Sequence, residues 1–216
     1  MLRPQPDMPS GTIPYEQRLA ADFEWALREG SMHFDESSSV HRSLRQIAQR
    51  LEALGVPYAV CDAMALFFHG HRRFTEDVDV LVSRDALKKI HDGLKGRGYV
   101  SPFVGSKNLR DAETGVAIEF IVQGDYPGDG KPKPIAFPDP AAVSVDVDGI
   151  RFLSLPALIE LKLASGMTNP RRGQDLVDVQ ALIDHLELPL GFAEGLHPFV
   201  RGKFAELWHV VHDNPP

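Results

Sequence analysis

The sequence predicts an α/β protein with a small mixed β-sheet, helices packed on the sheet, and further helices at the N- and C-terminal ends. Short β-rich runs alternate with helical patterns in the middle of the chain, and this order is typical of an α/β domain. After residue 154 only helical patterns follow. The 216 residues are 43% hydrophobic and 25% charged, which is close to ordinary globular composition and predicts a folded core.

The N-terminal part contains two predicted helices. Apolar residues recur at helical spacing in 15–28, and a second apolar stripe in 40–54 ends at Gly55, a residue typical of helix C-termini. The run "MLRPQPDMPSGTIP" at 1–14 contains prolines and lacks the apolar segment of a signal peptide. We therefore expect residues 1–14 to form a flexible arm.

Three β-rich runs predict the centre of the sheet, and two helical runs between them predict crossover connections. The strands are "PYAVC" at 57–61, "DVDVLVS" at 77–83 and "GVAIEFIV" at 115–122. The helices are "AMALFFHG" at 63–70 and the amphipathic run at 84–100.

A loop, a hairpin and three helices follow the third strand. The loop "QGDYPGDGKPKPIAFPDP" is too rich in Gly and Pro for regular structure. Asp148-Gly149 is a two-residue hairpin signal between the β-rich runs 142–147 and 149–155. Helical patterns then occupy 155–166, 173–186 and 199–211.

Composition excludes some classes of protein. A formal charge of −7 argues against extended DNA binding, which requires many Lys and Arg residues on one face. No apolar run approaches the roughly 18 residues that cross a bilayer, so we expect no membrane partner. A single cysteine, Cys61, without an export signal predicts a cytoplasmic protein.

Acidic residues interrupt two of the apolar strands. Asp77 and Asp79 are two positions apart, so in a strand both side chains point to the same face. Glu119 lies in the third strand between Ile118 and Phe120. Three carboxylates on neighbouring strands can bind two divalent cations, which clamp a triphosphate and activate a hydroxyl. The alternative is that these acids lie at strand ends and face solvent.

The run "YAVCDAMALFFHGHRRFTEDVDVLV" resembles the nucleotidyltransferases of the DNA polymerase β superfamily, particularly the bacterial AbiEii-like and minimal nucleotidyltransferases. In that family a strand ends in Gly-Gly or Gly-Ser. A short helix with Ala and His-Gly follows, and an Arg-x-Thr-x-Asp-h-Asp-h strand, where h is apolar, completes the site. The matching residues are Ala65, His69, Gly70, Arg73, Thr75, Asp77 and Asp79.

The resemblance implies a nucleotidyltransferase fold at 37–186, with an N-terminal arm and helix at 1–36 and a C-terminal helical extension at 187–216. It implies that Asp77 and Asp79 bind Mg²⁺ or Mn²⁺. Glu119 would be the third metal ligand and also the base that takes the proton of the attacking hydroxyl. These three residues would be the catalytic set.

The resemblance also implies a nucleotide-binding surface. Lys162 would contact the triphosphate with help from Arg171 or Arg172, since a cation on a flexible stem suits phosphate. The alternative for Lys162 is that it extends to solvent from a packed helix. The residues expected against the nucleotide are Asp62, Ala63, Arg73, Thr75, Lys162 and Arg172.

The chain departs from the family pattern where the two glycines should be. Glycine there lets the backbone approach phosphates, but this chain has Asp62 and Ala63. Asp62 would place a negative charge near the triphosphate, unless it points away and caps the helix that starts at Ala63. A second departure is Gln174, where a basic residue is expected.

These observations lead to two hypotheses of function. In the first, the protein moves a nucleotidyl group from an NTP, such as ATP, to the hydroxyl of a protein, RNA or small-molecule acceptor. In the second, it is a catalytically degenerate member that serves as a binding or regulatory protein. Kinship alone implies a link to toxin–antitoxin pairs. We also expect the loop 124–140 to border the site, with Lys131 and Lys133 near the ligand, or else to be an ordinary surface connection.

Overall fold

A computed structural model describes residues 12–213 of the chain. Its centre is a mixed sheet of seven strands in the order β3-β4-β5-β2-β1-β7-β6. The strands are β1 Tyr58–Val60, β2 Asp77–Val82, β3 Tyr99–Val100, β4 Leu109–Asp111, β5 Ala117–Val122, β6 Ser144–Val147 and β7 Ile150–Leu153.

Nine α-helices lie before, among and after these strands in the described residues. Two short 3₁₀ segments, Pro170–Arg172 and Leu190–Gly195, precede and follow α8. The helices are α1 Tyr15–Ala21, α2 Phe23–Phe34, α3 Ser39–Ala53, α4 Asp62–Phe68, α5 Arg84–Leu94, α6 Pro140–Val143, α7 Leu155–Thr168, α8 Gly173–His185 and α9 Pro198–Asp213. The predicted fold class, a mixed sheet with flanking and terminal helices, is confirmed.

Strand β2 occupies the middle of the sheet and sets the position of the acidic residues. It pairs antiparallel with β1 on one side and parallel with β5 on the other. Every second residue of β2 and β5 is buried on the face that α3 and the other helices cover. Val78 and Val80 of β2 and Ile118 of β5 are therefore core residues.

The N-terminal region differs from its prediction in one respect. A single helix over 15–28 is wrong, because the chain leaves helical geometry at Asp22, with φ −128° and ψ 92°. The Asp22 carboxylate accepts a hydrogen bond from the Trp25 N–H at 3.0 Å and so caps α2. The predicted flexible arm lies mostly outside the described residues, at 1–11.

The hairpin between β6 and β7 is confirmed, whereas two strands escape prediction. Asp148 and Gly149 have φ of 52° and 78°, the left-handed pair that a tight hairpin turn requires. Strands β3 and β4 contain two and three residues, too few for any alternation to be visible. They extend the sheet beyond β5.

One hydrophobic core connects the sheet to helices from both ends of the chain. It contains Tyr15 of α1 and Phe204 of α9, both fully buried. Helices α7, α8 and α9 pack on one another next to the sheet, and α4 contacts α7. In residues 12–213, every helix is too short or too polar to cross a bilayer.

Candidate functional site

The register of β2 and β5 gathers the predicted carboxylates on one face of the sheet. Asp79 lies opposite Glu119 and Asp77 lies opposite Ala117. In directly opposed strands such partners point the same way, so Asp77, Asp79 and Glu119 share a face. The alternation in the sequence predicted this arrangement. We call these three residues the acidic face.

Burial makes the acidic face electrostatically unfavourable without a cation. The pKa of Asp79 is raised well above its ordinary value, first by burial and then by the carboxylates of Asp77, Asp62 and Glu119. The pKa of Glu119 is also raised, by partial burial and by Asp77. Within residues 12–213, no side chain donates a hydrogen bond to the carboxylate of Asp79 or Glu119, and none forms an ion pair with either. Oxygen donors with unbalanced negative charge fit a hard divalent cation.

Thr75 orients one carboxylate of the acidic face. Its hydroxyl donates a hydrogen bond of 2.7 Å to Oδ1 of Asp77, and Thr75 itself is buried. The bond restricts the Asp77 carboxylate to one rotamer and leaves Oδ2 free of this contact. Thr75 also lines the cleft, so its predicted role against the nucleotide stays a prediction.

Asp62 begins α4 in an unusual backbone conformation. Its φ is +44°, in the left-handed region that favours glycine and that Asp and Asn tolerate better than other residues. The helix already includes Asp62, and its N-cap residue is Cys61. The Asp62 carboxylate accepts from the side chains of Lys162 and Arg73, and α4 has no side-chain cap, so the alternative that Asp62 caps this helix is wrong. Ala63 is buried and lies at the border of the same cleft.

Three cations surround the Asp62 carboxylate. Its Oδ1 accepts from Lys162 Nζ at 2.6 Å and from Arg73 Nη2 at 3.2 Å. Arg172 Nη2 lies 3.7 Å from Oδ2. Burial raises the pKa of Asp62, but Lys162, Arg73 and Arg172 outweigh burial and hold it below its ordinary value. Three residues expected to contact phosphate thus contact Asp62 instead.

Two aspartates of α8 complete the ion pairs of Lys162. Its Nζ donates to Asp178 Oδ2 at 2.8 Å and to Asp175 Oδ1 at 3.0 Å. Lys162 is only 4% exposed, so the alternative that it extends to solvent is wrong. Gln174 supports the cluster by donating to Asp178 Oδ1 at 3.0 Å. We call Asp62, Arg73, Lys162, Arg172, Asp175 and Asp178 the Asp62 cluster.

The acidic face and the Asp62 cluster border one open cleft of about 680 Å³. The acidic face and three arginines, Arg73, Arg171 and Arg172, line this same cleft. The cleft is lined by Asp62, Ala63, Arg73, Phe74, Thr75, Glu76, Asp77, Asp79, Glu119, Ile121, Tyr126, Pro127, Gly128, Phe137, Arg171, Arg172, Gln174 and Asp175.

The described residues place one set of three possible metal ligands within 4.8 Å of one another, and it is not the acidic face. The set is Asp62, Asp175 and Asp178. The ammonium of Lys162 lies within 3.0 Å of an oxygen of each, so a cation already balances these carboxylates. The acidic face is more open, and its carboxylates would have to converge around an ion.

The loop after β5 borders the cleft, but not through its lysines. Tyr126, Gly128 and Phe137 line the cleft. Lys133 is held inside the loop by Asp129 at 2.6 Å and by the carbonyl of Pro127. Neither Lys131 nor Lys133 is among the residues that line the cleft, so their approach to a ligand stays a prediction.

Asp175 and Asp178 belong to the Asp62 cluster, but their place in it could not be predicted from the sequence. Their i,i+3 spacing on one helix is as typical of a helix cap or an arginine pair as of a functional site, and Asp175 does accept from Arg172 Nε at 3.0 Å. Nothing in the spacing pointed to Lys162, because that pairing joins two different helices.

Comparisons with known proteins give only distant similarities. No protein-family model and no curated protein matches the chain. An antigenic nucleotidyltransferase-like protein from Paracoccidioides brasiliensis has a TM-score of 0.42 and 16% identity, over 66% of this chain and 74% of that one. JHP933 from Helicobacter pylori has a TM-score of 0.43 and 18% identity, over 79% and 78%. ANT(2")-Ia in complex with adenylyl-2"-tobramycin has a TM-score of 0.38 and 10% identity, over 78% and 87%. At TM-scores below 0.5, these similarities assign neither function nor residue roles.

Proposed function

We propose that the protein is a divalent-metal-dependent nucleotidyltransferase that moves a nucleotidyl group from an NTP, such as ATP, to an acceptor hydroxyl. The carrying observation is that one cleft is lined both by the carboxylates of the acidic face, which are in register on two strands, and by three arginines. Acidic residues can hold cations and arginines can bind phosphate oxygens, so the two groups of residues suit the two parts of a metal–triphosphate complex.

Each residue of the acidic face has a defined task in this proposal. Asp77, oriented by Thr75, and Asp79 would hold Mg²⁺ or Mn²⁺, and Glu119 would be the third ligand. When bound, such ions neutralise the triphosphate and lower the pKa of the attacking hydroxyl. Glu119 is the most exposed of the three, so its carboxylate is the one that an acceptor hydroxyl could reach to transfer its proton.

The acceptor in this proposal is a protein, an RNA or a small molecule. An involvement in a toxin–antitoxin pair stays a prediction of the sequence resemblance.

The test is pyrophosphate release from each NTP in the presence of Mg²⁺ or Mn²⁺ and separate protein, RNA and small-molecule fractions as acceptors. We expect release with one fraction, and its loss in the double variant Asp77→Asn, Asp79→Asn. Equal release by the double variant would contradict the assignment of these residues.

A second function is favoured by one observation, the ion pairing of Asp62. Because Asp62 occupies the cations that suit phosphate, the protein could keep the fold and act as a binding or regulatory protein. That alternative predicts that the protein binds metal but releases no pyrophosphate with any of the acceptor fractions.

A further inference from the structure

We propose that the Asp62 carboxylate is an internal competitor for phosphate, occupying among Arg73, Lys162 and Arg172 the position that a phosphate group of a bound ligand would take. Asp62 thereby sets how strongly the cleft holds anions. The inference rests on the proposed function for the identity of the ligand, but its chemistry concerns phosphate groups alone.

The charges of the Asp62 cluster balance only when Asp62 is counted. Arg73, Lys162 and Arg172 supply three positive charges, and Asp62, Asp175 and Asp178 supply three negative ones. Without Asp62 the same group would carry one net positive charge at the border of the cleft. A site with an excess cation attracts anions, whereas a balanced one does not.

Asp62 is the carboxylate of the cluster that a ligand can replace. Its side chain is 22% exposed and lines the cleft. Asp178 is fully buried and does not line the cleft, and the Asp175 side chain is only 6% exposed. A ligand arriving from solvent therefore meets Asp62 before the other two.

Phosphate and carboxylate compete for the same donors in this position. Arg73 and Arg172 each direct a terminal guanidinium nitrogen at Asp62, and Lys162 directs its ammonium there. Guanidinium and ammonium groups bind phosphate oxygens by the same charge-assisted hydrogen bonds. A phosphate that takes these donors must displace the Asp62 carboxylate, and the two anions would then repel each other in one cleft.

The backbone allows this residue to be changed without a large conformational cost. Glycine adopts φ near +44° freely, and asparagine tolerates it better than most residues do. Lys162 would keep Asp175 and Asp178 as partners after the change. Asp62→Gly and Asp62→Asn should therefore fold.

The test is titration of inorganic tripolyphosphate without divalent metal into the parent and both variants. We expect the dissociation constant to fall at least tenfold in Asp62→Asn and Asp62→Gly. Asp92→Asn is the matched control, because it removes the same charge from an exposed pair with Lys88 on α5 and should bind like the parent. Parental affinity in Asp62→Asn would overturn the inference.

A second substitution locates the bound anion. Arg172→Gln in the Asp62→Asn background should remove most of the gained affinity, because Arg172 is half-exposed and contacts Asp62 directly. A gain that survives this change would mean binding elsewhere and would overturn the inference. The probe has no nucleoside and the assay no metal. If the protein failed to transfer nucleotidyl groups, the result with tripolyphosphate would still stand. If Asp62 had no effect on tripolyphosphate binding, the proposed nucleotidyl transfer would still stand.

Discussion

At the residue scale, Asp79 carries a charge that the metal-free protein stabilises poorly. Its raised pKa, caused first by burial and next by Asp77, means that the folded state binds a proton more tightly than the unfolded state does. The free energy of unfolding therefore falls as pH rises from about 4, the ordinary Asp value, through the raised pKa of Asp79.

Asp79→Asn should remove this dependence, because the amide cannot ionise. We expect the metal-free variant to be at least as stable as the parent at neutral pH, with the difference shrinking as the pH falls to below about 4, where Asp79 becomes protonated in both states. Urea denaturation across this pH range measures it. Mn²⁺ titration of the same variant should show no binding; Mn²⁺ affinity equal to that of the parent would contradict the ligand role.

Thr75 offers a second test at this scale, because its hydroxyl orients Asp77. Thr75→Val keeps the shape of the side chain and removes the donor, and we expect about 10- to 100-fold weaker Mn²⁺ binding, as for other residues that support metal ligands. Thr75→Ser keeps the hydroxyl and should bind Mn²⁺ nearly as well as the parent. If both variants lose affinity equally, the hydrogen bond is not responsible.

At the scale of elements, the loop after β5 is fixed to α7 by a close approach of backbones. Gly128 has φ +75°, its carbonyl accepts from Asn169 Nδ2 at 3.1 Å, and an added Cβ would lie 2.7 Å from the carbonyl oxygen of Ser165. Gly130 has a similar φ, +71°, but an added Cβ would meet no atom within 4 Å. Both glycines therefore have a positive φ, but only at Gly128 would an added Cβ collide with neighbouring atoms.

Gly128→Ala should destabilise the protein more than Gly130→Ala does. The positive φ alone costs on the order of 1 kcal/mol in both variants, whereas overpacking against α7 adds roughly 1–3 kcal/mol in Gly128→Ala. Thermal denaturation of the two variants measures the difference. The loop should also become more sensitive to proteolysis in Gly128→Ala. Equal stability of the two variants would show that the loop is not anchored at Gly128.

The elements that sequence predicted are those with local signals. Strand β2 alternates between acidic and apolar residues over its first four positions, and the turn at Asp148-Gly149 has residues typical of a tight hairpin. The break at Asp22 was missed because the apolar spacing continues across it, and β4 was missed because its three residues depend on pairing with β5. Both features depend on contacts between residues distant in sequence, which a local sequence pattern does not show.

At the scale of the whole molecule, the site depends on pairs that are distant in sequence. Lys162 and Asp62 are 100 positions apart, yet their side chains lie 2.6 Å apart. From the sequence, Asp62 was a negative charge that opposes phosphate binding. In the folded protein it is neutralised by the cations expected to bind phosphate. Spacing predicted the acidic face, because one strand pair builds it, but not the Asp62 cluster, which needs α4, α7 and α8 together.

Ligand-induced stabilisation tests the cleft as one unit. If the acidic face binds metal and the arginines bind the triphosphate, each ligand should need the other, since an NTP without metal adds negative charge beside Asp79. At 100 times its dissociation constant, a metal–NTP complex raises the free energy of unfolding by about 2.7 kcal/mol. For a domain of this size, that corresponds to a Tm increase of roughly 5–10 °C. NTP alone should give a much smaller increase, and the variant Asp77→Asn, Asp79→Asn should give little even with metal. An equal increase without metal would mean that the NTP binds outside this cleft, because a triphosphate inside it would be repelled by the three carboxylates of the acidic face.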